Sequence, residues 1–182
     1  EQSNQFVRTF FEMRETLALS KKLKLDLRYF AGAFLANNTT KAAYNWRMDG
    51  QSTTTDYAYD GEYFDRSGTD EFLSRQFSEN HGGFKVPTAI GQSSRGLTAL
   101  NAKLKLKKFP IGLFGDVGYS ISSGVVWDGG IYVPVLPGII EVYLPLTYSS
   151  SIKTEIAVNG KKWFDLIRFQ IALDRINPVE SV

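Results

Sequence analysis

The chain has 182 residues, enough for one domain of ordinary size, and a formal net charge of +2. So small a net charge, with basic and acidic residues interleaved, does not indicate a nucleic-acid partner. The sequence contains no cysteine, which excludes disulfides and thiolate metal sites. It also lacks a run of about 18 apolar residues, so no transmembrane helix is predicted.

Residues 1–36 predict two long β-strands, at residues 6–19 and 23–35, because apolar and polar residues alternate there with a period of two. In the second strand leucines lie on one face, and Asp26 and Arg28 lie on the other. Both spans exceed the usual five or six residues of a strand in a soluble protein. The first residues show no signal-sequence pattern and no initiating Met, so we expect a mature form or part of a longer protein.

Residues 37–95 have a different composition, which is rich in Asp, Ser, Thr, Gly and aromatic residues. Residues 41–48 and 53–60 are candidates for short strands, and the remainder is predicted to form a long loop. Loops longer than about 15 residues inside a compact domain are usually functional. This segment is therefore a candidate for the functional part of the chain.

Residues 96–174 predict five further strands, and residues 175–182 form a tail. The predicted strands lie at residues 98–107, 111–121, 125–135, 140–148 and 167–173. Most connections between them are tight, which predicts antiparallel neighbours in a meander. The connection at residues 149–161 is longer and contains the turn signal Asn159-Gly160.

The apolar faces of these strands favour contact with lipid. They are about 9 to 11 residues long, the length of a membrane-spanning strand. The opposite faces carry large charged residues at mid-strand, which suits a water-filled barrel interior. Aromatic residues near strand ends suit a membrane interface; they are Tyr29, Trp127, Tyr148 and Trp163. The alternative is a soluble barrel of the lipocalin kind, in which the apolar faces point inward.

The strand at residues 111–121, "IGLFGDVGYSI", carries Asp116 in its middle with glycines on both sides. Aspartate is depleted in strands and glycine weakens them. On a strand with lipid on one face and water on the other, Asp116 falls on the water-facing side. Gly112 and Gly118 leave space beside it, and Gly115 falls on the lipid face.

The motif "FGDVG", Phe114 to Gly118, resembles the F-x-D-x-G strand motif of the BamA-type superfamily of outer-membrane assembly and translocation barrels. In that family the aspartate points into the lumen and pairs with an arginine at the tip of a long loop folded back inside the barrel. The resemblance therefore implies an ion pair between Asp116 and Arg66 of "DRSG". The family loop usually reads arginine-glycine-aromatic, whereas this chain has Arg66-Ser67-Gly68.

Other parts of the chain follow the family order over about residues 57–173. Gly82 and Gly83 of "HGGFKVP" resemble the Gly-Gly that precedes the strand after the loop. Barrels of this family have 16 strands, and about eight are counted here. The resemblance thus implies the C-terminal half of an antiparallel transmembrane β-barrel with the loop at residues 37–95 partly inside it. A complete eight-stranded barrel also fits the chain length.

By the same resemblance, we expect a protein of the outer membrane of a Gram-negative bacterium that acts in outer-membrane protein assembly or polypeptide translocation. Its partners would be the lipid bilayer and other outer-membrane or periplasmic proteins. The overall residue pattern of the sequence also resembles that of C-terminal barrels from Bacteroidota, some of which are attached to a peptidase or other hydrolase module. The alternatives are therefore the membrane anchor of such a hydrolase, and a small closed barrel for binding or adhesion.

Catalytic and metal-binding motifs are not apparent in the sequence. His81 is the single histidine, and neither HExxH nor G-x-S-x-G accompanies it, so we predict no catalytic residue, metal or cofactor. A group of four carboxylates has spacing that does not match an EF-hand, so it predicts a solvated acidic loop rather than a calcium site; they are Asp56, Asp60, Glu62 and Asp65.

A row of lysines follows one face of the strand at residues 98–107. It comprises Lys103, Lys105, Lys107 and Lys108. Such a row would line a pore that favours anions, or it would form a barrel face with acidic partners on neighbouring strands.

Overall fold

The computed structural model describes residues 5–59, 61–106 and 109–172, and its main feature is an antiparallel β-sheet of seven strands that curls into half a barrel. Two shorter strands pair with each other in the long loop. The nine strands are β1 (Phe6–Ser20), β2 (Leu23–Asn37), β3 (Gln51–Ser52), β4 (Phe77–Ser78), β5 (Gly96–Leu106), β6 (Gly112–Ser120), β7 (Gly124–Leu136), β8 (Ile140–Tyr148) and β9 (Arg168–Ile171).

The large sheet has the order β1-β2-β5-β6-β7-β8-β9, and every neighbouring pair is antiparallel. The prediction of a mostly antiparallel β fold is therefore confirmed, and a strand is present at each of the seven segments with period-two alternation. The meander is interrupted once, between β2 and β5, where residues 38–95 fold over one face of the sheet. We call the covered face the inner face and the opposite one the outer face.

The strand β6 illustrates how the two faces differ. Leu113, Val117 and Tyr119 lie on the outer face and are 43–51% exposed. Asp116 and Gly118 lie on the inner face and are buried. The strand thus exposes its apolar side chains and buries its carboxylate.

The loop packs on the inner face through an apolar cluster made of side chains from the loop and from the sheet. Trp46, Met48 and Phe84 of the loop pack with Phe30 of β2 and Val126 of β7. All five side chains are at most 2% exposed. Burial of several large side chains at this boundary makes the loop an integral part of the core.

Gly118 of β6 lies directly beneath Met48 of the loop. A Cβ atom placed on Gly118 would collide with the sulfur of Met48. Gly115 lies three residues away on the outer face, and a Cβ atom there would meet no atom closer than 4.0 Å. Gly118 therefore leaves the space that the side chain of Met48 occupies.

The two short strands predicted in the loop are absent from the described residues. Residues 41–48 form a 3₁₀-helix (Ala42–Tyr44) and a single bridge at Trp46, and the described residues of 53–60 form turns. The connection at residues 149–161 contains the helix α1 (Ser150–Val158), because Ile152 and Ile156, four residues apart, bury one helical face in the core.

Tyr148 does not lie on the face of β8 that strict period-two alternation from Ile140 would give it. A β-bulge lies between β7 and β8 where Gly129 pairs with Thr147 and Gly130 pairs with Pro145. The extra residue reverses the alternation, so that Tyr148 pairs with Asp128 and packs against the inner cluster.

The two edges of the sheet differ. β1 has 15 residues, and its free edge has no neighbouring strand among the described residues. β9, at the other edge, has four residues. The edge of β9 is met in part by the loop, through a parallel bridge between Gln76 and Phe169. Five strands lie between β1 and β9, and each of the six neighbouring pairs is antiparallel, so the two edge strands run in the same direction.

Helices contribute little to the described residues. Besides α1, they comprise the three 3₁₀-helices Ala42–Tyr44, Leu73–Arg75 and Trp163–Leu166. None of the helices in the described part of the chain has the length and apolar character needed to cross a membrane.

Candidate functional site

A row of polar side chains crosses the inner face on four adjacent strands. Strand register places Arg28 opposite Asn101, Asn101 opposite Asp116, and Asp116 opposite Asp128. All four residues are 2–3% exposed. Because cross-strand partners lie on the same face of a sheet, period-two alternation on each strand is enough to assemble this polar row.

Lys85 of the loop is the cation that meets the row. Its Nζ lies 2.8 Å from Glu79 Oε1, 3.3 Å from Asp116 Oδ1 and 2.7 Å from the carbonyl oxygen of Gly83. The lysine side chain and the Asp116 side chain are both completely buried. A buried ammonium must be paired and hydrogen-bonded. Here the loop supplies one carboxylate and strand β6 of the sheet supplies the other.

Further hydrogen bonds join the same loop segment to the row. Asn101 Nδ2 donates to the carbonyl of Gly82 at 2.9 Å and to Asp116 Oδ1 at 2.9 Å. The backbone N–H of Val86 donates to Asp128 Oδ2 at 2.7 Å. Residues 82–86 are therefore held on the inner face of the sheet by hydrogen bonds from their backbone groups as well as by the lysine.

Arg28 extends the site toward β1. Its guanidinium donates to Asn101 Oδ1 at 2.8 Å, to Glu12 Oε2 at 2.6 Å and to the carbonyl of His81 at 2.9 Å. On β1, Arg14 bridges the same Glu12, at 2.6 Å, and Glu79, at 3.1 Å. One continuous network of ion pairs thus runs from β1 through the loop to β6.

Gly82 and Gly83 allow the loop to approach this closely. Gly83 has a φ of +66°, and a Cβ atom there would lie 2.7 Å from Arg28 Nη1. A Cβ atom on Gly82 would lie 2.5 Å from the carbonyl oxygen of Met48. Any larger residue would push the loop off the polar row, so the structure gives both glycines a packing role.

The charges of the loop shift two pKa values in the direction that keeps both groups ionised. Burial alone would raise the pKa of Glu79, but the adjacent Lys85 ammonium outweighs it and the pKa is well below its usual range. Burial alone would lower the pKa of Lys85, but Asp116 and Glu79 outweigh it and raise the pKa. The pair is therefore charged across the physiological pH range.

His81 is a packed core residue. Its ring lies 5.0 Å from that of Trp46 and 6.1 Å from that of Phe30, measured between centroids. Burial, with the nearby Arg8, Arg47 and Arg28 cations, lowers the pKa of His81 to about 3. The neutral imidazole packs against the aromatic rings of Trp46 and Phe30.

The predicted ion pair between Arg66 and Asp116 is wrong. Arg66 Nη1 lies 3.0 Å from Asp56 Oδ2, and its Nη2 donates to the carbonyl of Gly61, both in the same loop. Asp116 is met by Lys85 instead. The physical reason is distance along the chain: Asp56, whose side chain is fully buried, is only ten residues from Arg66.

Phe114 and Gly118, the other residues of the strand motif, both face the loop side of the sheet. Phe114 packs in a second buried cluster with Phe77 of β4, Tyr132 and Tyr143. Its ring meets that of Tyr143 edge-on, with 5.6 Å between centroids. The motif thus supplies an aromatic contact, a carboxylate and a gap, all beneath the loop.

The acidic segment of the loop is used for local structure. Asp56 pairs with Arg66, and Asp65 accepts the backbone N–H groups of Ser67 and Asp70. Asp60 lies outside the described residues. In the part of the chain that the structure describes, no group of three or more His, Asp or Glu side chains is placed to hold a metal ion.

The lysine row of β5 has acidic partners where it is described. Lys103 pairs with Glu141 at 2.9 Å and Lys105 pairs with Asp26 at 2.5 Å. These partners lie on other strands of the sheet, which agrees with a charged barrel face rather than with free cations lining a pore. Lys107 and Lys108 lie outside the described residues.

Comparison with known proteins gives no match: no family model, no curated protein and no solved structure is similar enough to this chain to assign it. The resemblance to BamA-type barrels therefore continues to depend on the sequence motifs alone.

The arrangement is suited to anchoring. A buried ammonium, the polar row of the inner face and two glycines fasten the loop to the sheet at its centre. One feature of the sequence indicates that Lys85 is buried: it lies between the apolar residues Phe84 and Val86, directly after Gly82-Gly83.

A double-mutant cycle distinguishes the two possible partners of Asp116. We expect Lys85→Met to lower the free energy of unfolding by roughly 3 to 5 kcal/mol, because it leaves buried carboxylates without their cation. The effects of Lys85→Met and Asp116→Asn should be strongly non-additive, whereas those of Arg66→Met and Asp116→Asn should add. Urea unfolding in detergent measures the wild type, the three single variants and the two double variants. Coupling of Asp116 to Arg66 but not to Lys85 would contradict the assignment.

His81 gives a pH-dependent contribution to stability. Its pKa is about 3 in the folded protein and 6.5 in the unfolded chain, so the contribution is complete above pH 6.5 and is lost as the pH falls. Relative to His81→Asn, the wild type should lose about 1.4 kcal/mol of unfolding free energy per pH unit below pH 6.5. Asn tolerates the φ of +52° at this position. A difference that does not change with pH would contradict a neutral, buried His81.

Proposed function

We propose that the chain is a wall segment of an outer-membrane β-barrel, with the loop at residues 38–95 folded into the lumen. Its role would be the insertion or export of polypeptides, as the resemblance to BamA-type barrels implies. The observation that carries the proposal is the distribution of polarity: apolar side chains are exposed on the outer face, while charged side chains are buried on the inner face.

The outer face supports contact with lipid. Its exposed apolar residues extend from β1 to β8 and are 41–65% exposed. They include Val7, Phe11, Met13, Leu17, Leu19, Leu100, Leu113, Val117, Tyr119, Val125, Trp127 and Leu146. Contiguous apolar surface on this scale marks an interaction site, and a lipocalin-like barrel would bury it inside.

The inner face supports a lumen that is filled by protein. The ion-pair network and the polar row satisfy charged side chains that would be costly against lipid. Large polar residues facing inward, with a loop folded over them, are typical of barrels whose lumen is closed by a segment of the chain.

The edges of the sheet support a larger barrel. Unpaired backbone groups on the long edge of β1 would each cost several kcal/mol in lipid, so the barrel must be completed by further strands. Since β1 and β9 run in the same direction, antiparallel closure needs an odd number of them. Seven strands that curl through half a barrel fit a 16-stranded barrel better than closure by one added strand.

The three tryptophans allow a direct test of the membrane claim. In lipid vesicles, a variant that keeps only Trp127, 42% exposed on the outer face, should be quenched by brominated lipid chains. A variant that keeps only Trp46, which is 1% exposed beneath the loop, is the matched control and should be quenched much less. A monodisperse protein in detergent-free buffer, with Trp127 quenched by iodide instead, would contradict the proposal.

The role in handling polypeptides needs a separate assay. Vesicles that contain the membrane-inserted protein should speed the insertion of an unfolded outer-membrane protein several-fold over vesicles that contain an unrelated eight-stranded barrel at the same density. That control accounts for packing defects that any barrel introduces. Equal insertion rates in the two preparations would argue against an assembly function while leaving the membrane claim intact.

A further inference from the structure

The ion-pair network of the inner face is balanced in charge without Asp128. Its members are joined by N–O distances of 2.6 to 3.3 Å. They comprise three cations, Arg14, Arg28 and Lys85, and three carboxylates, Glu12, Glu79 and Asp116. Every carboxylate of the network therefore has a cation, and no cation is left over.

Asp128 is a fourth carboxyl group beside this network. It is 3% exposed, and no ion pair within 4.0 Å joins it to a cation among the described residues. Its Oδ2 accepts the N–H of Val86, but its Oδ1 has no hydrogen-bond donor in the described protein. An ionised carboxylate in this position would be buried with one hydrogen bond and no ion-pair partner, which is strongly unfavourable.

Asp116 lies directly opposite Asp128 in the sheet and has the complementary defect. Its Oδ1 accepts hydrogen bonds from Lys85 and Asn101, but its Oδ2 has no donor. The strand register places the two carboxyl groups side by side on the same face of β6 and β7, where directly opposed side chains are neighbours. Carboxylates are acceptors only, so a hydrogen bond between them requires a proton on one of them.

We propose that Asp116 and Asp128 form a proton-binding site in which one proton is shared between Asp128 Oδ1 and Asp116 Oδ2 at neutral pH. Lys85 pairs with Asp116, so the negative charge stays on Asp116 and the proton on Asp128. The inference does not depend on the solvent outside the barrel or on the proposed function.

Charged, titratable or polar groups face the site from the loop and from three strands of the sheet. Lys85 and Glu79 face it from the loop, and Asn101 faces it from β5. Tyr143 of β8 and Arg168 of β9 act on it electrostatically from the remaining side. Arg168 donates instead to the carbonyl of Asp49 and forms no ion pair with Asp128.

The shared proton would fasten the loop to the wall. With the proton present, Asp116 holds the Lys85 ammonium and Asp128 holds the Val86 N–H on adjacent strands. Its loss would place two like charges side by side in a buried site. Attachment of the loop therefore weakens as the pH rises.

The variant Asp128→Asn tests the site, because an amide donates permanently where the proton is proposed and still accepts from Val86. The folded wild type holds one proton more than the unfolded chain, so a rise in pH favours unfolding. From about one pH unit above the ordinary aspartate pKa of about 3.9 up to neutral pH, the ratio of the unfolding equilibrium constants, wild type over Asp128→Asn, should rise about tenfold per pH unit. Urea unfolding in detergent gives both constants.

The matched control is Asp26→Asn, the same change at an inner-face aspartate that pairs with Lys105. Its ratio to the wild type should not change over this pH range. Infrared spectra at neutral pH should show a protonated carboxyl band in the wild type and in Asp26→Asn, and not in Asp128→Asn. A ratio for Asp128→Asn that is constant with pH, or a wild type without this band, would overturn the proposal.

Discussion

The fold depends on the burial of one ammonium group, that of Lys85. Removing such an ion from water costs several kcal/mol, and only well-placed carboxylates offset this cost. One of its carboxylates, Glu79, belongs to the loop, and the other, Asp116, belongs to β6. The lysine is therefore satisfied only while the loop lies on the sheet, and this links the two parts of the molecule energetically.

The strand register explains how the sheet meets this requirement. With a period of two, residues that face inward on adjacent strands fall into one row, and Arg28, Asn101, Asp116 and Asp128 occupy such a row. The same period places leucines, valines and aromatic rings on the other face, where nothing in the described protein covers them. A polar interior and an apolar exterior thus have the same origin, which is why the geometry supports a membrane barrel.

The sequence predicted those features that follow from alternation. The strands, their antiparallel order and the inward direction of Asp116 are all consequences of period two. The partner of Asp116 could not be predicted this way, because a loop residue is placed by tertiary contacts. Arg66 pairs with Asp56, which is nearer along the chain. Lys85 pairs with Asp116 because the turn at Gly82-Gly83 brings it onto the sheet. The helix α1 was missed because nine residues give a weak helical pattern.

The comparison of Gly118→Val with Gly115→Val tests most directly whether the loop is packed on the inner face of β6. The two changes are chemically identical and lie three residues apart on one strand, but only position 118 faces Met48. Measured by urea unfolding in detergent, Gly118→Val should lower the free energy of unfolding by roughly 1 to 3 kcal/mol through overpacking, and Gly115→Val should leave it within about 0.5 kcal/mol. Equal effects of the two substitutions would contradict the account.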